Sequence, residues 1–232
     1  MATAVMFDFS GTLFRVETAT AWLDAALDAV GATLTAPERV GWASSLERAG
    51  ALPGGAWPQA VPPHLVEVWQ ERDLDLERHR AAYTGLAQSV GPLPHPDLAA
   101  ALYERHMAPQ AWHAYPDTHS TLTELRRRGV PVAVVSNIAW DLRPVFRHHG
   151  LEAAVDAFVL SFEHHRQKPD PELFRAACEQ LGREPEDIVM VGDDATADGG
   201  ATALGCTFLQ VRHAPTVERP NALTAVLDLL DR

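Results

Sequence analysis

Residues 5–13 read Val-Met-Phe-Asp-Phe-Ser-Gly-Thr-Leu, and this stretch carries the main clue to the fold. Its apolar half, Val5–Phe9, predicts a short buried strand. Polar residues and a glycine gather where this strand ends: Asp8, Ser10, Gly11 and Thr12. Open parallel sheets bind their ligands outside the carboxyl ends of their strands. We therefore expect this stretch to be the first strand of an α/β sheet, with a functional site at its end.

Further along the chain, four β-branched apolar runs predict the remaining strands: Val130–Ser136, Phe158–Ser161, Ile188–Val191 and Thr207–Val211. A helical pattern precedes each of them: Thr118–Arg128, Asp141–His149, Pro171–Leu181 and Asp198–Leu204. Strands that alternate with helices and are almost continuously apolar are typical of a parallel sheet covered on both faces. The sequence thus predicts an α/β fold with a Rossmann-like, five-stranded parallel sheet.

The long interval between the first and second strands is different, because its pattern is helical throughout. The predicted helices are Glu17–Val30, Ala36–Ala49, His64–Ser89 and Pro96–Met107. So many residues cannot form a single crossover, so we expect an inserted helical bundle. We predict an α/β core of residues 1–15 and 108–232, and an α-helical cap domain of residues 16–107.

Composition narrows the class of partner. The chain has 232 residues, 47% of them apolar, and a net charge of −12. Nucleic acid and anionic membranes are poor partners for such a chain, because both require a basic surface. No apolar run approaches the roughly 18 residues of a spanning helix, and no secretory signal is recognisable. We expect a cytoplasmic protein that acts on a small molecule.

Polar residues also follow the other predicted strands. Ser136 and Asn137 follow the second, Lys168 comes after the third, and the fourth is followed by Asp193, Asp194 and Asp198. Any one of these alone is more often a turn or a helix cap. Because parallel strands end at the same edge of the sheet, we expect these side chains to converge near Asp8.

The converging residues have the chemistry for phosphoryl transfer. Asp8 can act as a nucleophile if a cation screens it, and Asp193 supplies a second hard oxygen ligand for Mg²⁺. The Ser136 hydroxyl, the Asn137 backbone N–H and the Lys168 ammonium can hold the oxygens of a phosphoryl group. Lys168 is the only lysine among nineteen basic residues. Either this site requires a compact ammonium group instead of the planar guanidinium of arginine, or the lysine is present by chance.

Four segments resemble, in order, the motifs of the haloacid dehalogenase-like hydrolases: residues 5–13, Val134–Asn137, Lys168–Pro171 and Val189–Asp194. The helical insert between the first two resembles the C1 cap of the phosphoglycolate phosphatase-like and 2-haloacid dehalogenase branches. The resemblance covers nearly the whole chain. It implies a hydrolase that forms a covalent intermediate on an aspartate.

The resemblance also implies a role for individual residues. Asp8 would be the nucleophile, Ser136 would bind a phosphoryl oxygen, and Lys168 would neutralise the nucleophile and the transition state. Mg²⁺ would be bound by Asp8, Asp193 and the backbone carbonyl of Ser10. Further candidates are Asp194 and Asp198, one of which would hold a metal-bound water, with Asp194 alternatively a metal ligand or a helix cap. Thr12 and Asn137 are candidate substrate-binding residues, and Arg15 is either a contact for an anionic substrate or an ion-paired linker residue.

The chain departs from the family's phosphatase pattern at Ser10. Phosphatases of the family carry an aspartate there, which acts as general acid and then as general base, a role typically worth about 10²–10⁴-fold. A phosphonatase of the family is excluded, because those enzymes use a lysine of the cap to form a Schiff base. The only lysine of this chain is Lys168, outside the predicted cap. Three hypotheses stay open: a Mg²⁺-dependent phosphatase for a small phosphorylated metabolite, a metal-independent 2-haloacid dehalogenase, and an attenuated relative that binds a ligand without turnover.

Overall fold

The computed structural model describes residues 3–231. Its strands are β1 (Ala4–Phe7), β2 (Phe14–Val16), β3 (Trp112–Ala114), β4 (Val132–Ser136), β5 (Ala157–Leu160), β6 (Ile188–Gly192) and β7 (Thr207–Gln210). Its α-helices are α1 (Ala19–Val30), α2 (Ala36–Arg48), α3 (Val66–Gln70), α4 (Leu76–Ser89), α5 (Leu98–Met107), α6 (Thr118–Arg127), α7 (Arg143–His148), α8 (Ser161–His164), α9 (Pro171–Leu181) and α10 (Ala225–Leu230).

The main sheet has five parallel strands in the order β5-β4-β1-β6-β7, which confirms the predicted fold class. β1 lies in the centre and pairs with β4 on one side and β6 on the other. All five predicted strands are present, with ends that differ by a few residues. Because β1, β4 and β6 run in the same direction side by side, the residues that follow them lie at one edge.

Both faces of this sheet are buried by apolar side chains. On one face, alternate strand residues such as Met6, Val135 and Met190 pack with α9, whose Leu173 and Phe174 are buried. The sequence sets the limits of α9, because Asp170 accepts a hydrogen bond from the Glu172 N–H and Gly182 adopts a left-handed conformation. Strands β1, β4, β5 and β6 are buried along their whole length, as expected for a sheet covered on both faces.

The chain divides into two compact units. One comprises Met1–Arg15 with His113–Arg232 and contains the five-stranded sheet, and the other is Val16–Trp112 and is helical. The boundaries fall within β2 and β3, which form a separate two-stranded sheet that the sequence analysis did not predict. That the helical unit serves as a cap stays a prediction.

The predicted continuous helix His64–Ser89 is wrong. The structure has two helices here, α3 and α4, and the chain between them is not α-helical. The cause is Asp75, which has an extended backbone and therefore interrupts the helix. Its side chain caps α4 by accepting a hydrogen bond from the Arg78 N–H at 2.8 Å. An aspartate inside a helical pattern thus starts a new helix.

Within residues 3–231, no helix combines the length and the apolar character that crossing a membrane requires.

Candidate active site

The site is built around Asp8, the first residue after β1. Its backbone N–H donates to the Val191 carbonyl of the neighbouring strand at 2.9 Å, and the residue is 7% exposed. Apolar strand residues surround the position on both faces of the sheet, so the carboxylate sits at the end of a dry core. Such a carboxylate depends on nearby polar partners for its stability.

Lys168 supplies the nearest of these partners. Its Nζ lies 2.7 Å from Asp8 Oδ1, 2.5 Å from Asp198 Oδ1 and 2.9 Å from the Val135 carbonyl oxygen. All three donor positions of the ammonium are therefore occupied. The expected convergence of Lys168 on Asp8 is present in the structure, and Asp198 joins them.

Asn137 holds Lys168 in place through the main chain. The Asn137 Nδ2 donates to the Lys168 carbonyl at 3.0 Å, and its Oδ1 accepts from the Lys168 N–H at 2.6 Å. This paired contact ties the end of β4 to the loop that carries the lysine. The side chain of Asn137 thus positions Lys168, whereas the role predicted for its backbone N–H in substrate binding stays a prediction.

Asp193 lies on the other side of Asp8, directly after β6. Its Oδ2 is 2.6 Å from Nδ1 of His213, and the Thr12 hydroxyl donates to its Oδ1 at 3.4 Å. The Gly11 backbone has a φ of +85°, and a Cβ built there would lie 2.3 Å from His213 Nδ1 and 2.5 Å from Asp193 Oδ2. Only glycine fits this close approach between Asp193 and the first loop, residues 8–13 between β1 and β2.

The structure separates the two further acidic residues of the fourth motif. Asp194 Oδ1 accepts from the N–H groups of Thr196 and Ala197, as a turn-capping residue does. Asp198 is 1% exposed and directs one oxygen to Lys168 and the other to the Asp194 N–H at 3.0 Å. A Cβ on Gly192 would lie 2.1 Å from this Asp198 carboxylate, so the strand must end in glycine.

Three carboxylates therefore share one small volume. One oxygen each of Asp8, Asp193 and Asp198 lies within 4.8 Å of the others. Three carboxylates face one lysine, so their full ionisation requires a further positive charge, and hard carboxylate oxygens are the donors that Mg²⁺ prefers. The residues present fit a divalent cation held by Asp8 and Asp193, with Asp198 engaged by Lys168.

The electrostatics of the cluster follow from burial and crowding. Burial raises the pKa of Asp8 to about 8, the Lys168 ammonium opposes this rise, and the Asp198 and Asp193 charges add to it. Burial likewise raises the pKa of Asp198 against the opposing effect of Lys168. For Lys168, burial acts to lower the pKa, but the two carboxylates outweigh it and keep the ammonium charged. A further cation would stabilise the ionised form of Asp8.

The remaining predicted residues occupy different positions around this cluster. Ser136 ends β4 and is 2% exposed, and Thr12 is fully buried against Asp193. Ser10, after β1, and Arg15, in β2, are partly buried. Their roles in binding substrate or metal stay predictions. Sequence reasoning missed two residues that the fold brings to the first loop, His213 and Arg219. Neither belongs to a motif, and both follow β7.

An aspartate, a lysine and further acidic residues at the ends of parallel strands have the chemistry of a hydrolase that works through a covalent intermediate on the aspartate. The family model of haloacid dehalogenase-like hydrolases matches residues 2–203. The chain belongs to this family.

Relatives of both functional kinds are found. The chain is 31% identical to (S)-2-haloacid dehalogenase 1 of Pseudomonas sp. (strain CBS-3), over 90% of this chain and 84% of that protein. It is 36% identical to the phosphoserine phosphatase of Thermus thermophilus, over 54% of this chain and 50% of that protein. The structure of L-2-haloacid dehalogenase from Xanthobacter autotrophicus superposes with a TM-score of 0.65 at 22% identity, over 99% of this chain and 88% of that one, which supports the fold.

Proposed function

We propose that this hydrolase is a divalent-cation-dependent phosphatase that acts on a small phosphorylated metabolite through an aspartyl-phosphate intermediate. The observation that carries the proposal is the cluster of Asp8, Asp193 and Asp198 around a single lysine. Substitution of a halide requires only one carboxylate nucleophile. The additional acidic group of Asp193 has a clear purpose if a cation and an anionic phosphoryl group both bind here.

In the proposed reaction, Asp8 is the nucleophile. Lys168 holds Asp8 Oδ1, so Oδ2 is the oxygen that attacks phosphorus. The new O–P bond forms as the bond from phosphorus to the substrate oxygen breaks, and that oxygen leaves as an alkoxide or phenolate that takes its proton from water. Water then attacks the phosphorus of the aspartyl phosphate, releases inorganic phosphate and regenerates the Asp8 carboxylate.

The surrounding residues stabilise the charge that develops. Lys168 stays protonated beside Asp8, where burial strengthens its attraction for phosphoryl oxygens. Ser136 and the first loop complete the oxygen contacts. A bound Mg²⁺ would add positive charge at Asp8 and Asp193 and act there as a Lewis acid.

Ser10 shapes the substrate preference. A hydroxyl cannot exchange a proton near neutral pH as a carboxylate does, so protonation of the leaving group is weak. Phosphates with acidic leaving groups are therefore the best substrates, and the aspartyl phosphate accumulates because its hydrolysis also lacks a base.

The second candidate is a 2-haloacid dehalogenase, favoured by the relative that is 31% identical over 90% of this chain. In that reaction Asp8 attacks the carbon that bears the halogen, the carbon–halogen bond breaks, and halide leaves. Water then hydrolyses the resulting ester. No leaving-group proton is needed, so Ser10 poses no difficulty for this chemistry.

A single panel of assays separates these reactions. Purified enzyme is incubated with p-nitrophenyl phosphate, alkyl phosphates and 2-chloropropionate, each with Mg²⁺ or with EDTA. Phosphate release that requires Mg²⁺ supports the proposal. Halide release that persists in EDTA supports the dehalogenase, and the absence of any turnover supports an attenuated ligand-binding relative.

A further inference from the structure

The chain after β7 returns to the first loop, residues 8–13, which carries Asp8 and is called the nucleophile loop from here on. We use the name strap for residues 212–219, which follow Val211 and lie beyond the residues matched by the family model. The strap is anchored at Ala214, whose carbonyl accepts from the Tyr115 hydroxyl at 2.7 Å. Its last residue, Arg219, is 4% exposed although arginine is seldom fully buried.

The Arg219 guanidinium is directed at the loop that follows Asp8. Its Nη1 donates to the Gly11 carbonyl at 2.5 Å and to the Arg212 carbonyl at 3.3 Å, and its Nη2 donates to the Thr12 carbonyl. Its Cζ lies 3.2 Å from the centroid of the Tyr115 ring. The planar fork of arginine suits two adjacent carbonyls, which a single ammonium cannot hold in the same way.

Burying a guanidinium is costly, and the burial of Arg219 lowers its pKa. The group is held by backbone carbonyls and an aromatic ring, which are weaker partners than a carboxylate. The contacts fix two successive peptide planes between Asp8 and β2, in a loop whose Gly11 has a left-handed backbone. These planes place Thr12 beside Asp193.

We propose that Arg219 is a positioning residue that holds the nucleophile loop in its reactive conformation. The inference rests on the assignment of Asp8 as nucleophile and is independent of whether phosphorus or carbon is attacked. Loss of the Arg219 contacts with the Gly11 and Thr12 carbonyls leaves substrate binding outside the loop intact. It does allow Asp8 and Thr12 to move. A misplacement of about 1 Å costs roughly 10²-fold in rate, so kcat falls by this order while KM changes little.

The test compares Arg219→Ala and Arg219→Lys with the wild type, and Arg212→Ala serves as the matched control on the same strap. The Arg212 side chain is exposed, so its removal leaves kcat unchanged. We expect Arg219→Ala to lose kcat by roughly 10²-fold and Arg219→Lys to lose less. Millimolar guanidinium chloride added to Arg219→Ala should restore part of the lost kcat, because the free ion fits the vacated space.

Circular dichroism and melting curves establish that the variants fold. A folded Arg219→Ala with wild-type kcat overturns the proposal, as does a reduced kcat that guanidinium does not raise. If both variants are unfolded even with guanidinium, Arg219 is purely structural and the proposal also fails. Asp8→Asn separates this outcome from the proposed function, since an active Asp8→Asn enzyme would refute the nucleophile while leaving the Arg219 contacts untouched.

Discussion

At the level of single residues, Asp8 is held at a cost to stability. Its pKa is raised to about 8, mainly by burial, against an ordinary value of 3.8. The folded state therefore binds this proton more tightly than the unfolded state. The corresponding stability is fully present below pH 3.8 and is lost as the pH rises through 8. At neutral pH and without a cation, Asp8 takes up a proton on folding, and this uptake lowers the stability of the fold.

Asp8→Asn should consequently have two opposite effects. It removes the nucleophile and should lower kcat by several decades, each worth about 1.4 kcal/mol of activation free energy. In EDTA at neutral pH it should raise stability on the order of 1 kcal/mol, or about 2–4 °C in Tm. Steady-state kinetics and thermal melts measure the two effects. Retention of half the wild-type rate would contradict the nucleophile assignment.

Ser10 gives the second prediction at this level. Ser10→Asp supplies the missing general acid and should raise kcat on an alkyl phosphate by about 10²-fold, the low end of the general acid–base range. The second carboxylate next to Asp8 adds repulsion, so the gain should require Mg²⁺. Ser10→Asn is the matched control, with the same shape and no proton to exchange. Equal rates for the aspartate and asparagine variants would show that another residue supplies the proton.

The sequence predicts some of these residues and not others for a physical reason. Asp8, Lys168 and Asp193 follow strands within recognisable motifs, and the strands bring them together. Asp194 and Asp198 are the same residue type in the same motif, so the sequence does not distinguish their roles. In the structure Asp194 caps a turn by accepting from the Ala197 N–H, whereas Asp198 accepts from the Lys168 ammonium. Arg219 reaches the loop through tertiary contacts of a segment that has no motif.

At the level of elements, strands were predicted better than helix limits. A short apolar run bounded by turns has few alternatives to a buried strand, so all five strands of the main sheet were found. The break between α3 and α4 was missed because Asp75 competes for the backbone N–H of Arg78, which periodicity does not reveal.

The helical unit contains two buried histidines, His79 in α4 and His106 in α5. His79 is 1% exposed and contacts the Tyr103 hydroxyl through Nδ1 at 2.8 Å, and His106 is fully buried with its ring centroid 5.3 Å from that of His79. Burial lowers the pKa of His106 to about 3, opposed by the Tyr103 carbonyl and aided by Arg80. Burial also lowers the pKa of His79, with His106 and Arg72 acting in the same direction.

These depressed values predict acid sensitivity of the helical unit. Stability is fully present above the unfolded pKa near 6.5 and is lost as the pH falls, by about 1.4 kcal/mol per pH unit for each histidine that stays neutral when folded. Urea unfolding at pH 7, 6 and 5 measures the slope. His106→Gln should flatten it, whereas His64→Gln, at an exposed position of the same unit, should not. Equal slopes for His106→Gln and wild type would contradict the assignment.

At the level of the whole molecule, residues distant in sequence meet at one edge of the sheet. Asp8 follows β1, and Asp193 and Asp198 follow β6, which pairs with β1 in register from Ala4↔Ile188 to Phe7↔Val191. The alternation of strands and helices along the sequence was sufficient to predict this meeting point. It indicates a parallel sheet, whose strands all end at the same edge. The distances, and which of Asp194 and Asp198 joins the cluster, depend on packing and were not predictable.

A cation bound by Asp8 and Asp193 would link two neighbouring strands in the folded state only. Mg²⁺ at a hundredfold excess over Kd should then add about 2.7 kcal/mol, or about 5–10 °C in Tm. Asp193→Asn should lose most of this shift, because it removes a charged oxygen ligand. Asp194→Asn keeps an oxygen for the turn at Thr196 and Ala197 and should retain the shift.

Thermal melts of the three proteins in Mg²⁺ and in EDTA make the comparison independent of any substrate. The reverse pattern, with the shift lost in Asp194→Asn and kept in Asp193→Asn, would assign the metal to the residue that the structure uses as a cap. A wild type that does not respond to Mg²⁺ would leave the carboxylates of the cluster without a divalent cation. The halide-releasing reaction, which needs only Asp8 and Lys168 at this edge, would then be the better explanation of the site.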